Sequence, residues 1–151
     1  MKAISLHPEW ALEVLLGEKS VECRSWDTSY RGDLLICSTK KRTPGTIPGH
    51  ALCVVELIDV VPFTEEHMEA ALFDEMPPAG SFAWELGQPR EIYPFKINGK
   101  QRLYDVEDDM IAYLPDGMTD EEANDVYYPI FYPPVTPESL AEFEEYERQA
   151  E

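Results

Sequence analysis

The stretch Gly17-Glu18-Lys19-Ser20-Val21-Glu22-Cys23-Arg24 joins a helix to a strand and places a cation, an anion and a second cation within six residues. A helix is predicted before it, with Pro8 in the favourable first-turn position and Gly17 as the C-terminal stop. Residues Val21–Trp26 then alternate as a strand does. A junction of this kind usually carries turn residues alone, so this one is the first candidate for a functional site.

The candidate site follows from the alternation of side chains along the predicted strand. Glu22, Arg24 and Trp26 share one face because strand side chains alternate with a period of two. Lys19 stands where the strand begins and can join them in one polar cluster. The alternative is a set of surface ion pairs, which contribute little to stability. We predict Lys19 and Glu22 as catalytic candidates, and Arg24 and Trp26 as ligand contacts.

A second acid, Glu56, interrupts the most hydrophobic segment of the chain, the predicted central strand Ala51–Val61. The other residues on its face are apolar, and a charge there is costly unless a cation pairs with it. Lys19 and Arg24 are the candidate cations, which makes Glu56 the third catalytic candidate. A functional acid and a structural buried ion pair both stay open, because burial and a nearby cation move a carboxyl pKa in opposite directions.

Two predicted loops hold aromatic and basic side chains of the kind that stack on bases and bind phosphate. The ligand-binding candidates in these loops are Trp26, Tyr30 and Arg31 in the first, and Lys40 and Lys41 in the second. Both loops flank the predicted strand Asp33–Ser38, so we expect them to rim the same end of the fold. The alternative for the basic run is a solvated loop.

The order of predicted elements indicates a small mixed fold of the α+β class. Short strands and two inserted helices favour a small β-barrel over a parallel α/β sheet. The second helix is predicted from the cap Thr64 to about Met76. Asn98-Gly99 predicts a hairpin turn between the last two strands.

From about residue 110 the chain becomes acidic and helical. Thr119-Asp120-Glu121-Glu122 predicts a capped helix, and Thr136-Pro137-Glu138 starts a final one. We therefore expect a core domain at residues 1–109 and an acidic C-terminal extension at 110–151 that packs on it. Aromatic residues in this extension either wrap the core, which their need for burial favours, or contact a basic protein partner.

The charge distribution narrows the range of partners. The net charge is −18, which argues against broad binding of polyanions. However, residues 1–60 carry seven Lys and Arg against eight Asp and Glu, whereas residues 101–151 carry two against fifteen. The near-neutral first third can hold a nucleic-acid surface, although the charge of the rest of the molecule opposes it.

Negative features of the sequence exclude several classes of protein. No apolar run approaches a membrane span, and no secretory signal is recognisable, so we expect a cytoplasmic protein with no membrane partner. The three cysteines are isolated and suit a reducing compartment. The three histidines are dispersed and no phosphate-binding loop is present, so neither a metal site nor a cofactor is predicted.

The segment Gly17-x-Lys19-x-x-Glu22-x-Arg24 resembles the Gly-x-Lys-x-x-Glu-x-Arg signature of ASCH domains, relatives of the PUA RNA-binding domains. The similarity extends over about residues 1–105 and includes Tyr30-Arg31-Gly32, the Lys40-Lys41 loop and Ala83-Trp84. The resemblance implies a small PUA-like β-barrel with a cleft lined by the signature residues. It also implies a protein that binds RNA, single-stranded rather than duplex, or a nucleotide or nucleoside in that cleft.

The same resemblance leaves a metal-independent hydrolase as the alternative, either an amidohydrolase or a ribonuclease. Some relatives resemble amidohydrolases of N4-acetylcytidine that use a Lys, a Thr three residues later and a Glu on a central strand. Lys19 and Glu56 match the first and third positions, whereas Glu22 stands in place of the Thr. Other members have been proposed to be ribonucleases, and here Lys19 and Arg24 would stabilise the transition state with Glu22 or Glu56 as general base.

Overall fold

The computed structural model describes residues 1–150, which form seven strands and four α-helices. The strands are β1 (Lys2–Leu6), β2 (Val21–Arg24), β3 (Gly32–Ser38), β4 (His50–Pro62), β5 (Phe82–Leu86), β6 (Arg90–Lys96) and β7 (Tyr104–Asp105). The helices are α1 (Pro8–Leu15), α2 (Met68–Ala71), α3 (Asp120–Tyr127) and α4 (Pro137–Ala150), with 3-10 turns at Glu65–His67, Asp108–Met110 and Tyr128–Ile130. No helix in this part of the chain is long and apolar enough to cross a membrane.

All seven strands belong to one sheet, in the order β2-β5-β4-β3-β1-β7, with β6 beside the first part of β4. β1 and β3 run parallel, and the other pairings are antiparallel. The mixed α+β class predicted from the sequence is confirmed. Within residues 1–150 the pairing path stays open, because its end strands β2 and β7 do not pair, so the sheet is not closed into a barrel.

The long strand β4 explains the most hydrophobic segment of the sequence, because it is covered on both faces. Leu52 and Val55 pack into one buried cluster with Trp84. Val54 packs into a second cluster with Ile92. Each such side chain contributes roughly 1.5–3 kcal/mol when fully buried. Buried side chains therefore stabilise the sheet on both of its faces, and a functional site is expected at the ends of its strands.

The helix predicted from Thr64 to Met76 is shorter in the structure and ends at Ala71. Leu72 adopts a left-handed conformation (φ 61°), and the amide of Phe73 bonds back to the carbonyl of Met68 at 2.9 Å. The helix ends early at a local C-cap, which the apolar sequence pattern does not predict. It leaves the Ala71 carbonyl and the Phe73 ring facing the start of β2.

The hairpin predicted at Asn98-Gly99 is wrong. Strand β7 pairs with β1 rather than with β6. Gly99 passes so close to β1 that a Cβ there would lie 2.2 Å from the Ser5 hydroxyl oxygen. The glycine therefore permits a close approach of this loop to the Ser5 side chain rather than a turn. Residues 97–103 become a loop that runs beside the end of β1.

Helix α3 is fastened to the sheet by Tyr127, which is 5% exposed. Its hydroxyl lies 2.9 Å from the carbonyl oxygens of both Leu52 and Ile92 and accepts a bond from the Ile92 amide at 3.3 Å. The register of β4 against β6 shifts between Ala51 and Cys53, so this hydroxyl satisfies backbone groups that the ladder leaves over. Burial raises the pKa of Tyr127 and keeps the donor protonated.

Tyr127→Phe should lower the free energy of unfolding by roughly 1–3 kcal/mol, because it leaves buried carbonyl and amide groups without their partner. Urea unfolding of the two proteins measures the difference. Tyr128→Phe is the matched control, since the partly buried Tyr128 ring packs edge-on against Phe131 and keeps that contact without its hydroxyl. Equal losses for the two variants would contradict the role given to the Tyr127 hydroxyl.

The last helix is uncovered. None of the residues of α4 is buried, and Phe143 and Tyr146 are 57% and 71% exposed. The predicted capped start of α3 is present, with Thr119 and Glu122 exchanging side-chain and backbone bonds. The aromatic residues of the acidic third thus divide between a buried set around Tyr127 and an exposed set on α4.

Candidate functional site

The strand β2 carries its polar side chains on the face predicted from alternation. Glu22 lies opposite Trp84 of β5, and Arg24 lies opposite Phe82, so both side chains point to the same side of the sheet. Trp26 follows the strand and packs edge-on against Trp84, with ring centroids 4.7 Å apart. The junction thereby delivers a carboxylate, a guanidinium and an indole to one end of the fold.

Lys19 and Glu22 are buried, with 2% and 3% of their surface exposed. The Lys19 ammonium donates to the Ala71 carbonyl at 2.6 Å and lies 5.0 Å from the centre of the Phe73 ring. Glu22 accepts a bond from the Cys23 amide at 2.9 Å through one oxygen. The short helix α2 therefore holds the ammonium in place, and β2 holds the carboxylate.

The two buried groups have shifted pKa values. Burial raises the pKa of Glu22, and the charges of Lys19 and Arg24 oppose this in part. Burial lowers the pKa of Lys19, against the attraction of Glu22 and Glu13. In both cases the cost of removing a charge from water exceeds the gain from its neighbours. Burying these charges therefore costs folding free energy, unlike a simple stabilising ion pair.

Part of this cluster makes no hydrogen bond within residues 1–150. The second oxygen of Glu22 and the Nε of Arg24 are inaccessible and have no partner there. Neither cation comes within 4.0 Å of the Glu22 carboxylate. Buried polar groups without partners are rare and concentrate at functional sites. Arg24 links this buried pair to the surface, because it also donates to the Ser5 carbonyl at 3.1 Å.

The raised pKa of Glu22 predicts a pH-dependent stability. The folded state binds the proton more tightly than the unfolded chain, so this group favours folding at low pH. That contribution is lost as the pH rises from the ordinary value of 4.5 through the folded value. Glu22→Gln should therefore gain stability relative to the native protein as the pH rises above 4.5.

Urea unfolding of both proteins between about pH 4 and pH 7 measures this gap directly. Glu18→Gln is the matched control, since Glu18 is exposed at the same junction and its replacement should leave the gap near zero. A Glu22→Gln gap that stays constant or narrows with rising pH would contradict the burial cost assigned to this carboxylate.

A continuous groove opens beside the end of β1, at the end of the fold where β3 finishes. It consists of three adjoining depressions of about 420, 320 and 380 Å³ that share lining residues such as Ser5 and Lys40. Five cationic side chains line it: Arg24, Lys40, Lys96, Lys100 and Arg102. Among residues 1–150, no Asp or Glu lines these depressions. We call this surface the cationic groove.

Trp26 forms the aromatic part of the cationic groove. The Arg102 guanidinium lies 5.0 Å from the centre of its ring, and Arg102 adopts a left-handed backbone conformation (φ 58°) to reach it. Such a conformation is uncommon outside glycine and costs about 1–3 kcal/mol when held at a site. A base can replace the guanidinium on the indole face, because both stack on aromatic rings.

The loop Thr39–Gly49 supplies the opposite wall. Lys40 bonds to the side chain of Asn98, across the groove, and Lys41 lies 3.3 Å from the His7 ring. Lys40 lines the groove and Lys41 stands behind it at the start of α1. The basic run is therefore partly organised by contacts and does not simply extend into solvent.

Two sequence expectations about this site are wrong. Tyr30 and Arg31 precede β3 and Lys40 follows it, so seven residues of strand, roughly 20 Å, separate the two loops. Arg31 pairs with Asp59 at 3.0 Å, and the Tyr30 hydroxyl donates to the Asp33 carbonyl. Among the described residues, neither Tyr30 nor Arg31 lines the cationic groove. In the first loop Trp26 reaches the groove, whereas Tyr30 and Arg31 lie at the opposite end of β3.

The expected pairing of Glu56 with Lys19 or Arg24 is also wrong. Glu56 is exposed, and its electrostatic neighbour is Arg90. β6 begins at Arg90, opposite Val54, so the face of β4 that carries Glu56 is uncovered beyond that point. In the cross-strand register, Glu22 aligns through Trp84 with Val60 instead.

Of the nine candidate residues, the structure brings Lys19, Glu22 and Arg24 into one electrostatic cluster, from which Arg24 reaches the groove beside Trp26 and Lys40. Sequence analysis missed the groove wall formed by Lys100 and Arg102. Their signal was present in Asn98-Gly99, which suggested a turn instead of a close approach to β1. No group of metal-ligating side chains suited to an ion is found within residues 1–150.

The chain belongs to the ASCH domain family, because the family model for the ASCH domain matches residues 4–96. This PUA-like family is often linked to RNA binding. The groove wall at Lys100 and Arg102, and helices α3 and α4, lie outside the matched span.

Similar solved structures include the ASCH protein of Zymomonas mobilis, with 19% sequence identity and a TM-score of 0.57, covering 72% of this chain and 88% of that one. A tyrosine-to-phenylalanine mutant of that protein has 16% identity and a TM-score of 0.55, covering 72% of this chain and 91% of the other. At this identity the likeness shows the fold alone. A comparison with curated proteins finds no match.

Proposed function

We propose that this protein binds single-stranded RNA in the cationic groove. The proposal rests on one observation. Within residues 1–150, five cations and no carboxylate line the groove, although the net charge of the chain is strongly negative. Cations segregated in this way attract phosphate locally while the rest of the surface repels it. The link between ASCH domains and RNA supports the same ligand class.

The shape of the groove favours a single strand over a duplex. Each adjoining depression has the volume of a small-molecule site, and together they can follow a short backbone. Trp26 offers a stacking surface that an unpaired base can reach and a paired base cannot. A duplex would also bring its second strand against the acidic remainder of the surface.

In this proposal each groove residue has a distinct role. Lys40, Lys100 and Arg102 contact phosphates, because their side chains are exposed along the groove. Trp26 stacks on a base. Arg24, held by the Ser5 carbonyl and by the buried charge of Glu22, presents its guanidinium at a fixed position and can donate to a base edge or a phosphate.

Fluorescence anisotropy with a labelled RNA hexamer tests the proposal, with the matching duplex as competitor. Trp26→Leu should weaken binding by roughly tenfold, since a base stacked on an aromatic ring contributes about 1–3 kcal/mol. Trp10→Leu is the matched control, because Trp10 is 41% exposed but lies outside the groove. Equal affinities for all three proteins, or stronger binding of the duplex, would overturn the proposal.

A hydrolase is the second candidate, and the shifted pKa values of Glu22 and Lys19 favour it. Groups displaced in this way can act as general acid or base. The unpartnered oxygen of Glu22 is inaccessible in this conformation, so a substrate would have to displace part of the wall to reach it. For that reason binding is the stronger proposal.

Incubation with N4-acetylcytidine and with labelled RNA decides between the two candidates. A hydrolase that uses the buried cluster should lose turnover on Glu22→Gln and keep it on Glu56→Gln, since Glu56 is exposed and distant from the cluster. Turnover that is equal in all three proteins would exclude both acids as the general base. Binding without turnover leaves the first proposal as the function.

A further inference from the structure

The segment that leads into the acidic helix α4 is bonded to the Thr39–Gly49 loop, which forms one wall of the cationic groove. Tyr132 is bridged to the basic loop: its carbonyl accepts from the Gly45 amide and its amide donates to the Thr46 carbonyl, both at 2.8 Å. The Arg42 guanidinium also lies 5.8 Å from the centre of the Tyr132 ring. Thr46 lies two residues before Pro48, and Pro48 lines the groove. The chain is therefore pinned to one wall of the groove immediately before α4.

The hydrogen bonds and ion pair described for α4 all lie within the helix and its Thr136–Ser139 cap. The Val135 amide bonds to the Tyr128 carbonyl at 3.0 Å, so the anchored segment extends to Val135 and the helix begins at Pro137. Thr136 caps the helix by exchanging hydrogen bonds with Ser139, so the helix can turn relative to its anchor at the link between Val135 and Thr136. A 14-residue helix is about 21 Å long, which is enough to cover a groove whose wall adjoins its anchor.

The composition of α4 is complementary to a cationic surface. Its exposed carboxylates are Glu138, Glu142, Glu144, Glu145 and Glu147, opposed by the single cation Arg148, which pairs with Glu145. Its aromatic side chains Phe143 and Tyr146 are more than half exposed. The groove offers complementary charge and one partly exposed aromatic side chain, Trp26.

We propose that α4 closes over the cationic groove as an internal competitor for RNA. Bound carboxylates occupy the positions of phosphates, and an RNA strand must displace the helix to enter. The competition with RNA rests on the proposed function, but the docking of α4 on the groove can be observed without RNA. The competition weakens with salt, since it acts between exposed charges over about a Debye length.

The test compares two variants of the full chain that carry the same change in net charge. One replaces Glu142, Glu144 and Glu147 on α4 by Gln. The control replaces three exposed acids outside α4 that do not line the groove, by Asp116→Asn, Glu121→Gln and Asp125→Asn. The α4 variant should bind the RNA hexamer at least about tenfold more tightly than the native protein at low salt, whereas the control changes affinity about twofold or less. Equal gains would overturn the proposal in favour of a general effect of net charge.

A second measurement separates this inference from the proposed function. Amide NMR shifts of Thr39, Lys40 and residues 98–102 should differ between the native protein and the α4 variant without RNA, and agree at about 0.5 M salt. If the shifts differ but no RNA binds, α4 docks and the proposed function fails. If RNA binds but neither shifts nor affinities respond to α4, the inference fails. Sedimentation tests whether α4 docks on a second copy of the chain instead. A native dimer that dissociates in the α4 variant would overturn the proposal of internal docking.

Discussion

Reversing two charges of the cationic groove, by Lys40→Glu with Lys100→Glu, should weaken binding of the RNA hexamer by at least about 100-fold at low salt, or roughly 2.7 kcal/mol. Both side chains are exposed along the groove, so the change removes two phosphate contacts and adds repulsion in their place. Exposed substitutions of this kind usually alter stability by about 0.5 kcal/mol or less. The loss should therefore appear in affinity and not in folding.

The salt dependence of binding gives a second measure of the same change. Each phosphate contact that is lost should reduce the slope of log affinity against log salt by about 0.7 for a single strand. Arg31→Glu with Arg90→Glu is the matched control, because it carries the same change in charge at the opposite end of β3. These two cations pair with Asp59 and Asp33 in exposed positions. If the control weakens RNA binding as much as the groove variant does, the groove is not the binding surface.

Arg24→Ala should have the largest effect on stability among changes at the polar cluster, lowering the free energy of unfolding by as much as about 3 kcal/mol. Arg24 is one of two cations that offset the burial of the Glu22 charge. Without it, Glu22 retains only Lys19 as a compensating cation. A buried charge that has lost a partner is costly, and the loss of one hydrogen bond to the Ser5 carbonyl adds to it.

A double-mutant cycle isolates the contribution of the charge. Glu22→Gln removes the carboxylate that Arg24 offsets, so Arg24→Ala should cost less in the Glu22→Gln background than in the native protein. Urea unfolding at neutral pH measures all four proteins. RNA binding should stay weak in both Arg24→Ala proteins, because the guanidinium at the groove is absent from each. Additive effects on stability would show that Arg24 and Glu22 do not interact.

The sequence predicted the local elements well because strong local patterns set them. Pro8 and Gly17 bound α1, and the alternation of Glu22 with Arg24 placed both on one face of β2, as the structure shows. The capped start of α3 at Thr119 is equally local. In each case a pattern of a few adjacent residues decides the geometry, so no long-range contact could override it.

The errors arose where long-range packing decides the geometry. Burial of Glu56 depends on where β6 begins, which is set by its pairing with β4 and not by residues near Glu56. Gly99 looked like a turn residue because its neighbour across the fold, Ser5, is far away in sequence. The groove wall at Lys100 and Arg102 follows from that same approach. These features depend on pairs of residues that only the folded sheet brings together.

The most direct test of the central claim is an NMR titration of the native protein with an unlabelled single-stranded RNA hexamer, followed through amide shifts. Binding in the cationic groove predicts the largest shifts at Arg24 to Trp26, at Thr39 and Lys40, and at residues 98–102. The separate pocket lined by Tyr113, Met118 and Ala123 should not respond. Shifts centred on that pocket, or no shifts at low salt, would contradict the account.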